Sequence, residues 1–508
     1  MVPLACYLQL ILTAVFFSFF ICLFKSNKNG LPRNWPFLGM SPMFILINLR
    51  RLPDKIAELL ERNEGTFLLK GPWFSDVDML VTSDPANVHY VTTKNFWNYP
   101  KGPESKQLFD FLGNTLFNMD FDEWTSVRKI TNSYLKHQQF HRFVNEVIVD
   151  NVNKGLIPVL EHVAAQGLVV DLQDLFKRYT YDAAWKITTG YSPNSLSIDF
   201  PEVPFINAID DACEASFNRH LLPGSLWRLK RWLQLGTEKK LSAARKTLHD
   251  VAAKYLLMKT EELKKAGEKQ FKEDDAETFD ALRYCMLNIR ELVETTFPAE
   301  EVVRDNIISL TFAAYDTSAP TLSWLFWLLS ENPHVEAKIK EELHNNFSKK
   351  WQLSSKEELR KLVYLHAALC ETLRLHPPVP FQHRTPVQPD ILPSGHHVNS
   401  KVRIIMSGYA IGRMTSVWGD DCLEFRPERW IDEKGTLKYE TPAKFFIFNA
   451  GPRTCLGKEV ALTMLKAAAA TIVYNYDIQV AETRLATPKS SIILQMKNGM
   501  RVRLKRNA

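Results

Sequence analysis

Cys455 stands in the run Phe448-Asn-Ala-Gly451-Pro-Arg453-Thr-Cys455-Leu-Gly457, whose residue types suit a metal-bound thiolate. The flanking glycines permit a tight turn and let another group approach the backbone closely. Helical spacing resumes near Gly457, so a helix N-terminus lies beside the sulfur, and its amides favour thiolate over thiol. Arg453 offers a planar fork to an anionic partner. A flat iron porphyrin with acidic propionates matches each of these features. A zinc site does not, because Cys422 is distant and no histidine is near. A phosphate loop is a near miss: Gly451 to Gly457-Lys458 is one residue too long, and Glu459 replaces the hydroxyl that would hold magnesium.

Four other runs carry chemistry. They are Trp124-Thr-Ser-Val-Arg128, Thr311-Phe-Ala-Ala-Tyr-Asp316-Thr317-Ser318-Ala-Pro320, Glu371-Thr-Leu-Arg374 and Phe425-Arg-Pro-Glu428-Arg429-Trp430. Alone, Glu371 and Arg374 read as a surface ion pair on one helix, worth only a few tenths of a kcal/mol. In this order, ending on the Cys455 run, they resemble the cytochrome P450 monooxygenases, and the resemblance spans the whole chain.

That resemblance implies haem b, with Cys455 as the axial thiolate that pushes electron density onto iron. It puts Trp124, Arg128 and Arg453 at the propionates, with Arg384 as a further candidate. Glu371, Arg374 and Arg429 become a buried structural network. Asp316 and Thr317 become the acid–alcohol pair that orders water and delivers protons during oxygen activation. Two departures accompany the match. Ala314 stands where glycine is usual, and Pro320 cannot donate to the carbonyl of residue 316, which predicts a kink.

The elements that must position these residues are mostly helical. Helical apolar spacing covers 122–165, 240–265, 299–345, 355–375 and 457–474. Strand-like runs are short: 66–71, 78–83, 401–409, and the pair 491–497 and 499–505, which predicts a hairpin. Residues 256–280 are dense in Lys and Glu and read as a solvated stretch. The spacing gives a fold class that is mainly α with a minor β part; the resemblance implies a cytochrome P450 fold, here expected to be preceded by one N-terminal transmembrane helix.

The chain has 508 residues, 45% hydrophobic and 24% charged, which excludes disorder, collagen and a small disulfide scaffold. Its net charge of +6 is concentrated before Asp54, in Lys25, Lys28, Arg33, Arg50 and Arg51, so no field for nucleic acid extends over the body. Residues 4–24 carry no charge, and at about 1.5 Å per residue a helix of that length spans a bilayer core. A cleaved signal peptide would need a basic start, a shorter apolar run and a small-residue cleavage site. The basic flank after the span puts the body on the cytosolic side. The domain reading is therefore a membrane anchor over 1–24, a basic, proline-rich hinge over 25–53, and a haem-thiolate domain over 54–508. The apolar patch 43–49 suits lipid contact and core packing equally. Seven cysteines without a CxxC argue against a disulfide framework.

Within the family, phrases such as KGPW (70–73), YLHAALCETLRLHPPVPF (364–381) and DILPSGHHV (390–398) resemble the plant group that hydroxylates fatty acids and wax alkanes. The same group contains oxidative phenol-coupling enzymes of alkaloid synthesis. The implied reaction is oxygen insertion into an unactivated C–H bond of an alkane or fatty acid. Electrons come from an NADPH-cytochrome P450 reductase, since no GxGxxG fingerprint appears here. The implied location is the endoplasmic reticulum membrane, single-pass, with membrane lipid and a small hydrophobic substrate as partners. A non-catalytic haem protein is the alternative from another class, and the retained Asp316 and Thr317 count against it. Segments 103–119, 203–224, 308–317, 379–384 and 488–495 are expected to line the substrate pocket, rich in apolar groups such as Phe109, Phe111, Phe205, Phe312, Phe381 and Ile492. Asp210, Asp211 and Glu214 read as a solvated helix face.

Overall fold

The structure, a computed structural model, describes residues 11–14, 29–35, 37, 39–40, 49–72, 78–266, 279–292, 298–347, 353, 355–481 and 486–507. Seven helices frame the site: α1 (Phe121–Leu135), α2 (Leu172–Thr189), α3 (Pro204–Leu221), α4 (Gly236–Ala266), α5 (Ala299–Glu331), α6 (Val363–Leu375) and α7 (Lys458–Asn475). Helix α5 is the axle. It packs along α2 and touches α4, α6 and α7, and most of its side chains are buried. That burial explains its weak amphipathic pattern, because a helix surrounded on all sides needs no polar face.

Among the described residues nine strands form three small sheets. In the largest, β1 (Thr66–Leu69), β2 (Asp78–Thr82), β7 (Val402–Ser407) and β4 (Phe381–Arg384) lie in that order. β2 and β7 pair in parallel, and the β4–β7 register sets His383 against Ile405 and Arg384 against Ile404. β5 (Asp390–Ile391) and β6 (His397–Val398) form a separate pair. The expected hairpin between 491–497 and 499–505 does not form. β9 (Arg501–Arg506) instead lies between β3 (Val169–Asp171) and β8 (Tyr476–Val480), and 491–497 is irregular. The cause is polar: Gln495 sends its side chain inward to Asp316, and the Leu494 amide donates to the Pro378 carbonyl.

Other boundaries also shifted. The 122–165 run is broken at Lys136-His137, and the 299–345 run is broken at Asn332, where Pro333 opens a new helix. Helix α5 runs as one element through Pro320. Around the proline, the Thr321 and Thr180 hydroxyls donate to the Thr317 and Tyr315 carbonyls. Of the 256–280 stretch, 267–278 lie outside the described residues, and the rest is not uniformly solvated. Lys259 and Asp280 are buried and paired at 2.9 Å, with Lys259 also over the Tyr191 ring. Burying the lysine with its counter-ion offsets part of the desolvation penalty that a lone charge would suffer in full.

Among the described residues no helix is long and apolar enough to cross a membrane. The expected anchor, 4–24, lies outside the described residues except for 11–14, which are helical and exposed. Of the expected hinge, Trp35 and Gly39 bridge each other and the Met40 amide reaches the Lys70 carbonyl. The described cysteines 213, 285, 370, 422 and 455 are free thiols.

The turn after β7 meets α6 so closely that a Cβ on Gly412 would lie 2.1 Å from the Arg374 carbonyl oxygen. Gly412→Ala is expected to destabilise the protein by about 2 kcal/mol, read as the shift in denaturant midpoint. A change below about 0.5 kcal/mol, normal for a surface site, contradicts that packing.

Candidate active site

The Cys455 loop is closed by its own backbone. The Cys455 amide donates to the Phe448 carbonyl at 2.8 Å, and the Thr454 amide to Gly451 at 3.0 Å. Gly451 has φ +64°, and a Cβ there would sit 1.9 Å from the Thr92 carbonyl oxygen. A glycine is therefore obligatory. Gly457 differs: a Cβ there meets nothing within 4 Å. It borders a cavity of about 510 Å³ that Cys455, Trp124, Arg128, Arg453 and Thr317 also line. The thiol is exposed and lines this cavity. Burial pushes the Cys455 thiol up, against the Gly457 amide, Arg128 and the amide and ammonium of Lys458, which favour the thiolate. The helix N-terminus thus acts in the expected direction, yet enclosure outweighs it. A metal cation at the sulfur would reverse that balance.

Around the cavity lies a cluster of cations short of partners. Arg384, fully buried on β4, spends one nitrogen on the His383 carbonyl at 2.8 Å, while its Nε and Nη2 have no partner. Arg453 reaches Asp120 at 2.6 Å and the carbonyls of Met119 and Leu116, and its Nε is likewise orphaned. Burial and Arg453 push Arg384 down to about 9, and burial pushes Arg453 down to about 10. Burial and these two arginines hold Lys101 well below the usual ammonium range. Arg128 donates to the Thr454 carbonyl, and the Arg453 guanidinium lies 4.7 Å over the Trp124 ring. Buried, mutually repelling donors with empty valences call for an anion. The two propionates of haem b meet that need, and Gly457 leaves room beside the sulfur, so the residues fit the group. Arg384 is the one member of the predicted set behind the cavity wall rather than on it. Lys101 and Asp120 were missed by sequence reasoning. Asp120 binds the Lys101 and Gly102 amides at 2.9 Å as well as Arg453, which no local spacing reveals.

Glu371 and Arg374, fully buried on α6, are joined by two hydrogen bonds of 2.8 and 2.7 Å. Arg374 also donates to the carbonyls of Gly412, Cys422 and Glu424. Glu371 accepts from Arg429 at 3.3 Å, from the Trp430 indole at 2.8 Å and from the Arg426 amide at 3.1 Å. The predicted trio is thus one network, with Trp430 as a further member.

The sequence pattern of the cytochrome P450 family matches residues 30–502. The chain belongs to that family. It is similar to the alkane hydroxylase MAH1 of Arabidopsis thaliana, with 41% identity over 96% of this chain and 97% of that protein. It is also similar to noroxomaritidine synthase of Narcissus aff. pseudonarcissus MK-2014, with 37% identity over 100% of this chain and 96% of that one. In fold it matches a crystal structure of the cytochrome P450DA heme domain, with a TM-score of 0.76, 18% identity, and 94% and 97% of the two chains covered. The protein is therefore a P450 monooxygenase, and the family's cofactor is a haem with a cysteine thiolate ligand.

In this P450 the acid and the alcohol of α5 share a turn but not a face. Thr317 and Ser318 border the cavity, and the Thr317 hydroxyl donates to the Ala313 carbonyl at 2.7 Å. Asp316 is fully buried on the far side, where its carboxylate accepts from Gln495 at 2.6 Å and from the Cys213 thiol at 3.6 Å. Burial and the nearby Asp210 push it up to about 7. Asp210 belongs to this group rather than to a solvated face, since Lys177 holds it at 2.7 Å. Asp211 is half-exposed, facing Lys240 at 3.9 Å. Of the expected apolar lining, Phe109, Phe312, Phe381 and Ile492 border the cavity, whereas Phe111 and Phe205 are packed in the core.

Removing one partner from a buried charge network typically costs about 3–5 kcal/mol. Glu371→Ala is therefore expected to abolish haem retention, read as the ferrous–CO spectrum of the purified variant. A stable holoprotein from Glu371→Ala overturns the role given to the network.

Proposed function

We propose that this P450 hydroxylates unactivated C–H bonds of long-chain aliphatic substrates, alkanes or fatty acids. The observation that carries this reading is the cavity itself, which runs from the Cys455 thiol along mainly apolar walls of α5, the 379–381 segment and the 488–494 segment. Chains without polar groups bind by burial against such walls. Similarity to the alkane hydroxylase adds support.

Haem b bound at Cys455 would supply oxygen activation. Trp124, Arg128, Arg384 and Arg453 would hold its propionates, while Glu371, Arg374 and Arg429 keep the segment before the Cys455 loop in place. Thr317 orders water at the cavity wall. Asp316 stores a proton near neutral pH and passes it toward Thr317 by turning out of its Gln495 contact. Electrons come from an NADPH-cytochrome P450 reductase. The uncharged 4–24 run anchors the chain in the endoplasmic reticulum membrane as a single span, the 25–53 hinge follows, and residues 54–508 form the cytosolic haem-thiolate domain.

The test is product analysis in microsomes containing this chain, a plant reductase and NADPH, given an alkane, a fatty acid and a phenolic amine. Hydroxylated aliphatic product is expected, and coupled phenol from the amine alone overturns the reading. Proton storage at Asp316 has its own signature. The carboxyl is protonated below about 7 and ionised above it, so kcat is level at acidic pH and falls as pH rises through neutrality. Asp316→Asn is expected to lower kcat about 100-fold and to remove that inflection. An unchanged pH profile in Asp316→Asn contradicts the role.

A further inference from the structure

The apolar cavity has a polar corner whose two histidines neither oxygen activation nor cofactor binding uses. His383, on β4 next to Arg384, lines the cavity and is 6% exposed, and its Nε2 has no hydrogen-bond partner. Its ring stacks on Phe109, with centroids 5.7 Å apart and planes at 20°. His220 of α3 closes the other edge of Phe109 at 5.4 Å and donates from Nδ1 to the Ser216 carbonyl at 2.7 Å. The aromatic contact and the β4–β7 pairing fix where the His383 nitrogen stands.

A buried imidazole nitrogen without a partner is rare, because the lost hydration must be recovered from somewhere. The protein supplies nothing here, so the ligand must. The charge around the ring says which ligand. Burial, then Lys101, His220, Arg403 and Arg384, push the His383 imidazole down, so it is neutral; Lys101 and Arg403 line the cavity with it, and among the described residues no carboxylate lines that cavity. Glu104, the carboxylate paired with Arg403, is 41% exposed and turned to that partner. A cationic amine would be repelled at this corner, and a hydrocarbon would leave the nitrogen unsatisfied. An anion satisfies both the donor and the field.

We propose that His383 is the head-group anchor of the substrate site: its Nε2–H donates to the carboxylate of a long-chain fatty acid whose tail lies along the apolar cavity shared with Cys455. This rests on the hydroxylase reading above and narrows it from aliphatic chains in general to those ending in a carboxylate. His383 is a specificity residue, distinct from the groups that handle protons or hold haem.

The experiment titrates the holoprotein with hexadecanoic acid and with hexadecane, following the haem spin-state change on binding. In His383→Leu, Kd for the acid is expected to rise about tenfold, equivalent to about 1.4 kcal/mol, while Kd for hexadecane stays the same. His383→Gln, which keeps a donor, is expected to recover most of the acid affinity. Equal weakening toward both ligands, or no weakening toward either, overturns the proposal. Loss of haem from His383→Leu also overturns it, since His383 would then be a propionate ligand. Failure of the hydroxylase reading looks different: the wild type would lack a thiolate-type ferrous–CO spectrum or would yield no hydroxylated chain. An intact spectrum and aliphatic product without acid selectivity remove only the anchor.

Discussion

The buried carboxylate of Glu371 is the constraint on which the rest depends. It sits at the centre of α6 with no access to water, and a bare charge there would be prohibitively expensive. Arg374, Arg429, Trp430 and the Arg426 amide are what make it tolerable. Because Arg374 in turn holds three carbonyls between 412 and 424, one ion pair fixes the course of a long irregular segment. That segment continues through Arg429 and Trp430 toward the Cys455 loop. Few regular elements could do this, since loops lack the repeating hydrogen bonds that locate a helix or strand.

The site built on this frame is electrically divided. On one side of the cavity Arg384, Arg453 and Lys101 crowd together, short of anions and depressed in basicity by burial and by each other. On the other side, behind α5, Gln495 reaches both Asp316 and Asp210, with Cys213 on Asp316 and Lys177 on Asp210, and the Asp316 carboxyl is pushed up to about 7. Each arrangement is costly in isolation and useful in context. The cations are ready for a dianionic planar group, and the carboxyl is ready to hold and release a proton near pH 7. The cavity between them is mainly apolar, so binding, orientation and proton supply use separate parts of one enclosure.

Much of this was legible in the sequence, for reasons that differ by residue. Cys455 and Gly451 could be read because a backbone-closed loop demands fixed residue types at fixed spacing. Glu371 and Arg374 could be read because their i, i+3 relation lies within one helix, and Arg429 because its motif is short. Long helices were read well and their breaks poorly: Asn332-Pro333 and Lys136-His137 interrupt runs whose apolar spacing continues across them. Gln495, Lys177 and Asp120 were not legible, because each acts on a residue far away in the chain through a single side chain. The failed hairpin has the same origin. A local pattern of alternating residues favoured pairing, but the inward contact of Gln495 with Asp316 and the pairing of β9 with both β8 and β3 leave no place for it. The orientation of Asp316 away from the Thr317 face is also tertiary information, set by Gln495 and Cys213.

The most direct test of the account follows the fate of the oxygen atoms. The reconstituted holoprotein, with reductase and NADPH, would be given hexadecanoic acid under isotopically labelled dioxygen and its product examined by mass spectrometry. A haem-thiolate monooxygenase acting on an aliphatic chain predicts a hydroxylated acid carrying a single labelled oxygen on carbon. An unlabelled hydroxyl group, or consumption of NADPH without any oxygenated chain, contradicts it.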